Sequence, residues 1–151
     1  MGRYVFKLEK DFSYPTEMTV DKDYDFKDWS GRLWFSIKKD GTITIKKGYA
    51  WDGCSIKINV FDLIWVGTPD GLIDWKTGKA LTYYCSMVHD AFYQFLDNPE
   101  FPFNRKQADD LFLKMLTEVE FKPRNIYYAA VRSLGWIGFA IRRLRAKFKK
   151  D

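Results

Sequence analysis

Residues 33–45 run LWFSIKKDGTITI. Leu33, Phe35 and Ile37 alternate with more polar neighbours, Lys39-Asp40-Gly41 turns the chain, and Ile43 and Ile45 resume the alternation. A period of two places one apolar face on a strand, and Asp-Gly readily supplies the positive φ of a tight turn. The stretch is therefore predicted to be a β-hairpin. Tyr4, Phe6 and Leu8 show the same period further back, so residues 3–50 are expected to form a small antiparallel sheet.

Beyond Trp51 the alternation stops. Gly53, Gly67, Pro69-Asp70-Gly71 and Gly78 punctuate residues 51–78, which are expected to form a long irregular loop of the kind that commonly carries function. The period then becomes helical. Leu81, Tyr84, Cys85, Val88, Phe92 and Phe95 recur at three- and four-residue steps, predicting a helix over 79–97. Asn104 is a good N-cap for a second helix over 104–121, with Ala108, Leu111, Phe112, Met115, Leu116 and Val119 as its apolar face. Pro123 separates it from a third helix over 124–147, striped by Ile126, Ala130, Leu134, Ile137, Ile141 and Leu144. The expected class is α+β: an N-terminal antiparallel sheet followed by three helices.

The chain has 151 residues, 46% hydrophobic and 19% aromatic, enough for a single domain over 1–151 to bury its own core. Its formal charge of +5 favours an anionic partner. Much of the excess lies in the tail 142–151, RRLRAKFKKD, which suits either a solvated end or a membrane-surface segment drawn to anionic headgroups. No recognition module surrounds it, so nucleic acid is not the expected partner. No window is long and apolar enough for a membrane span, and the opening MGRYVFKLEK lacks the apolar core of a secretory signal. Two distant cysteines, Cys54 and Cys85, suit free thiols in a reducing cytosol.

The single histidine, His89, excludes every site that needs several imidazoles. It sits in His89-Asp90-Ala91-Phe92-Tyr93, where a helix would put His89 and Tyr93 on one face and turn Asp90 about 100° away. Asp109 or Asp110 on the next helix could accept a proton from one ring nitrogen, leaving the other to take one from water. Asp52, Asp90 and a carbonyl of the Asp52-Gly53 turn could supply the hard oxygen donors that suit Ca²⁺, although Asp52-Gly53 is equally an ordinary turn. Arg105 is expected to be a structural partner of Asp90 or Asp109 rather than a substrate clamp, and Ser55 a turn hydroxyl rather than a nucleophile.

Asp52-Gly53-Cys54-Ser55, His89-Asp90-x-x-Tyr93 and Arg105-x-x-Ala108-Asp109-x-x-Phe112, followed by Ala130-Val131-Arg132-x-x-Gly135, resemble a family of short phage and prophage proteins over about residues 47–135. More distantly, the first three motifs are similar to the bacterial and fungal branch of the phospholipase A2 superfamily. That likeness implies that His89 activates water, Asp109 orients it, Tyr93 braces the pair, and Asp52, Asp90 and a carbonyl near Gly53 hold Ca²⁺. It implies a lipid ester hydrolase working at a phospholipid surface. The phage likeness implies a protein of the infected or lysogenic bacterium's cytoplasm or of the virion. Its non-enzymatic alternative is a virion or host-interaction protein that keeps the same residues as a structural network. In the superfamily a cysteine lies three residues before the histidine, whereas Cys85 lies four before His89, so a Cys54–Cys85 bridge is not expected.

Overall fold

In the computed structural model, which describes residues 6–51, 78–79 and 81–133, the hairpin forms where the alternation places it. Strand β4 (Leu33–Ile37) pairs antiparallel with β5 (Thr42–Ile45), setting Phe35 opposite Ile45 and Ile37 opposite Ile43. All four of these side chains are fully buried. Strands β2 (Phe12–Pro15) and β3 (Tyr24–Lys27) flank the hairpin, giving a four-stranded antiparallel sheet ordered β2-β5-β4-β3. Its other face is more polar, with Ser13 and Thr44 hydroxyls 2.8 Å apart. Short strands β1 (Phe6–Lys7) and β6 (Ala50–Trp51) pair separately. The expected single sheet over 3–50 is thus two sheets, divided where Gly48 turns the chain at φ +93° and donates to the Leu8 carbonyl.

The turn between β4 and β5 depends on glycine twice over. Gly41 has φ +90°, and a Cβ there would lie 2.6 Å from the Met18 carbonyl oxygen. Gly31 also has positive φ, but a Cβ there would meet nothing within 4 Å. Gly41→Ala is therefore expected to cost more than Gly31→Ala, whose penalty is the left-handed strain of about 1–2 kcal/mol alone. Urea denaturation of both variants measures the difference.

Helix α1 (Tyr83–Phe95) lies across the buried face of the sheet. Phe35 meets Phe92 and Phe95 at ring-centroid distances of 5.5 and 5.8 Å, and Phe26 meets Phe95 and Phe101, both at 5.3 Å. Such tilted and offset rings fill the centre of the core. Helix α2 (Arg105–Glu118) begins at a capping box: Asn104 accepts from the Gln107 amide, and the Gln107 side chain accepts from the Asn104 amide. It stops short of residue 121 because Glu120 adopts φ +56°. Tyr14 donates to both Glu118 carboxylate oxygens and so fastens that end to β2.

Helix α3 occupies 124–133 of the described residues, completing an α+β layout. Two expected core positions are displaced outward. Val119 caps α2 and is partly exposed, and Ile126 is 44% exposed because Tyr127, Ala130 and Val131 form the buried face of α3. The loop 51–78 apart from its ends, Leu134 and the rest of that stripe, and the basic tail lie outside the described residues. No helix among the described residues is long and apolar enough to cross a membrane.

Candidate functional site

Side-chain spacing on two helices creates a polar centre inside this aromatic core. His89 and Tyr93, one turn apart on α1, both point at Asp109 of α2. His89 Nε2 lies 2.8 Å from Asp109 Oδ1, and the Tyr93 hydroxyl donates to the same oxygen at 2.5 Å. Asp109 Oδ2 accepts from Arg132 Nη1 of α3 at 3.0 Å. Phe112, one turn beyond Asp109, packs its ring 4.7 Å from the imidazole, and the Tyr93 ring lies 4.4 Å from it. The histidine is thereby held in one orientation by two rings and a carboxylate.

Asp109 is fully buried, which makes its protonation state decisive. Burial works to raise its pKa, but hydrogen bonds from His89 and Tyr93, the charge of His89 and the Arg132 hydrogen bond outweigh it. The carboxyl is held below its ordinary value and is ionised at neutral pH. An ionised carboxylate only accepts, so His89 Nε2 carries the shared proton, and in the neutral form of the ring the lone pair lies on Nδ1. Nδ1 has no hydrogen-bond partner among the described residues. The arrangement thus leaves the basic nitrogen of an oriented imidazole unspent.

Burial is also the largest cause of the upward shift of the Tyr93 hydroxyl, followed by its bond to Asp109, so Tyr93 remains a donor. Because the Asp109 pKa is lowered on folding, its contribution to stability is complete above the unfolded carboxylate value of about 3.9 and disappears as pH falls through the lower folded value. Acid unfolding monitored by circular dichroism is expected to lose this component in Asp109→Asn, flattening the pH dependence below about pH 4.

Of the expected site residues, the structure brings together His89, Tyr93 and Asp109. Asp109 rather than Asp110 meets the imidazole, because Asp110 faces out and binds Lys106 Nζ and the Tyr128 hydroxyl at 2.6 Å each. Arg105 does not pair with Asp109. Its Nη1 donates to the Arg132 backbone carbonyl at 3.0 Å, tying the start of α2 to α3, while Arg132 takes the carboxylate. The sequence pattern did carry a trace of Arg132: it lies four residues after Tyr128, so the two polar groups share a face of α3 and meet the adjacent carboxylates Asp109 and Asp110.

Asp90 is half-buried, turned round α1 from His89. Asp52, Gly53, Cys54 and Ser55 lie outside the described residues. Among the described residues no three His, Cys, Asp or Glu side chains converge as a metal site. Cys85 is a buried free thiol whose pKa burial pushes up to about 12, which makes it a core residue rather than a nucleophile.

A family model described as "Protein of unknown function (DUF1353)" matches residues 18–131, a span that takes in His89, Tyr93 and Asp109. No curated protein and no solved structure matches the chain.

Proposed function

This chain belongs to the DUF1353 family, and from the His89–Asp109 geometry together with the phospholipase A2 likeness we propose that it is a hydrolase of phospholipid esters. The observation that carries this reading is the imidazole pinned through Nε2 to a buried, ionised carboxylate with Nδ1 unpartnered among the described residues. Water held against Nδ1 gives that nitrogen a proton as its oxygen attacks the ester carbonyl carbon. Asp109 stabilises the resulting imidazolium through Nε2. When the tetrahedral intermediate collapses, Nδ1 returns the proton to the departing alkoxide, so ester and water become acid and alcohol. Tyr93 and Arg132 keep Asp109 fixed and ionised throughout.

Asp52, Asp90 and a carbonyl near Gly53 are the residues we assign to Ca²⁺, because they offer hard oxygen donors and no thiolate is required. The ion would supply polarisation of the ester carbonyl. Phospholipid vesicles incubated with the full chain are expected to release fatty acid in calcium and to stop in EGTA, and calcium alone is expected to raise the melting temperature. Release that continues unchanged in EGTA would remove the calcium assignment. In keeping with the phage and prophage likeness, the setting we assign is the infected or lysogenic bacterium.

One observation favours a second reading. Both Asp109 oxygens are spent on three donors from two other helices, as in a network that only joins α1, α2 and α3. A virion or host-interaction protein would need nothing more of these residues. It would show no turnover and no response to calcium.

A further inference from the structure

Arg105 opens the run Arg105-x-x-Ala108-Asp109, yet no step of the ester hydrolysis uses it. Four residues apart on α2, Arg105 and Asp109 share a helix face, the spacing at which an arginine and a carboxylate can pair directly. They do not. Arg105 Nη1 donates instead to the Arg132 backbone carbonyl of α3 at 3.0 Å, and the Arg132 side chain donates to Asp109 Oδ2 at 3.0 Å. The Arg105 guanidinium also acts on α1, because its charge and an N–H bear on the Tyr93 hydroxyl and pull against the upward shift set by burial. Apart from the imidazole, Tyr93 and Arg132 are the groups that donate to Asp109. Arg105 therefore bears on both braces of the carboxylate without pairing with the carboxylate itself.

Its own place is fixed locally. Arg105 is the first residue of α2, directly after the Asn104 cap whose reciprocal bonds with Gln107 set the first turn. It is half-buried, whereas the neighbouring Lys106–Asp110 pair has side chains 65% and 44% exposed, so water competes less for the Arg105 bonds. A guanidinium offers five N–H groups in a planar fork and can serve two acceptors in fixed directions, which the point charge of a lysine cannot do. What such a fork can control is the rotation of Asp109. If the carboxylate turns, Oδ1 leaves His89 Nε2, and small misplacements of a reacting group are costly to a rate.

We propose that Arg105 is a positioning residue for the His89–Asp109 pair, acting through Arg132 on α3 and Tyr93 on α1 to fix the rotation of the Asp109 carboxylate and hence of the imidazole. That the positioning serves ester hydrolysis rests on the hydrolase reading; the positioning itself can be measured without turnover. The chain's single histidine gives one set of imidazole signals, so nitrogen NMR of the labelled full chain reads His89 directly. At a pH where the ring is neutral, wild type is expected to show one tautomer, with the proton on Nε2. Arg105→Gln is expected to show a mixture of both tautomers, because a carboxylate free to rotate no longer selects the Nε2 proton. The same variant is expected to lower kcat for fatty-acid release by about 10- to 100-fold with KM unchanged. Arg105→Lys keeps the charge but not the fork, and should fall between the two. Tyr14→Phe frees the far end of α2 from β2 and should keep the wild-type tautomer and kcat.

A wild-type ring spectrum in Arg105→Gln or in Arg105→Lys would overturn the proposal. So would a Tyr14→Phe spectrum shifted as far as that of Arg105→Gln, since the effect would then follow any loosening of α2. A raised KM with kcat intact in Arg105→Gln would assign Arg105 to substrate binding instead. Absence of fatty-acid release from wild type, with the ring spectrum still dependent on Arg105, would strike the hydrolase reading alone.

Discussion

Asp109→Ala is expected to destabilise the protein by about 3 kcal/mol, a large share of the roughly 5–15 kcal/mol that holds a domain of this size together. The residue is fully buried, and removing its carboxylate strands three donors at once: the His89 ring N–H, the Tyr93 hydroxyl and the Arg132 guanidinium. Leaving a buried donor unsatisfied costs more than a made bond contributes, and a charged donor costs most. Arg132 is about a third exposed, so water recovers part of its loss and places the effect at the lower end of that seen for broken buried pairs. Urea denaturation measures it. The double variant Asp109→Leu with Arg132→Met should recover much of the stability, because the cost arises from the stranded charge rather than from the absent pair. A loss below about 1 kcal/mol in Asp109→Ala would show that the network joining the three helices contributes little.

His89→Gln is expected to lower fatty-acid release by about 10²–10⁴-fold, the range associated with a positioned general base. The glutamine amide retains an N–H for Asp109, so the buried carboxylate keeps a donor and the fold should survive with a small change in melting temperature. Loss of turnover with retained stability separates chemistry from scaffolding. A network without chemistry predicts no turnover in the wild-type protein for the substitution to remove. Turnover that persists in His89→Gln would remove His89 from the mechanism, since this is the chain's one histidine and no second imidazole can substitute for it.

The alternation through Leu33, Phe35 and Ile37, the Asp40-Gly41 turn and the return through Ile43 and Ile45 made the central hairpin legible, because a period of two and a positive-φ glycine are local properties. Strands β2 and β3 left weaker traces. Phe12-Ser13-Tyr14-Pro15 ends in a residue that lacks an amide donor, and Tyr24-Asp25-Phe26-Lys27 is only four residues long; pairing with β5 and β4 is what makes each a strand. The Asn104 cap was readable for the same reason as the hairpin: a cap is satisfied within three residues of itself.

The site divided along the same line. That His89 and Tyr93 share a face, and that Asp109 precedes Phe112 by one turn, follow from helical spacing alone, so the amino-acid order determines which side chains each helix offers as a set. Which sets meet is another matter. Asp109 rather than Asp110 reaches the imidazole, and Arg132 rather than Arg105 takes the second carboxylate oxygen, because α1, α2 and α3 dock at one particular rotation and depth. Neighbouring carboxylates differ by about 100° around a helix, a difference that spacing records but cannot orient toward a partner. The docking is set by the aromatic core, in which Phe35 and Phe26 of the sheet seat Phe92, Phe95 and Phe101, and that packing exists only once the distant segments have come together.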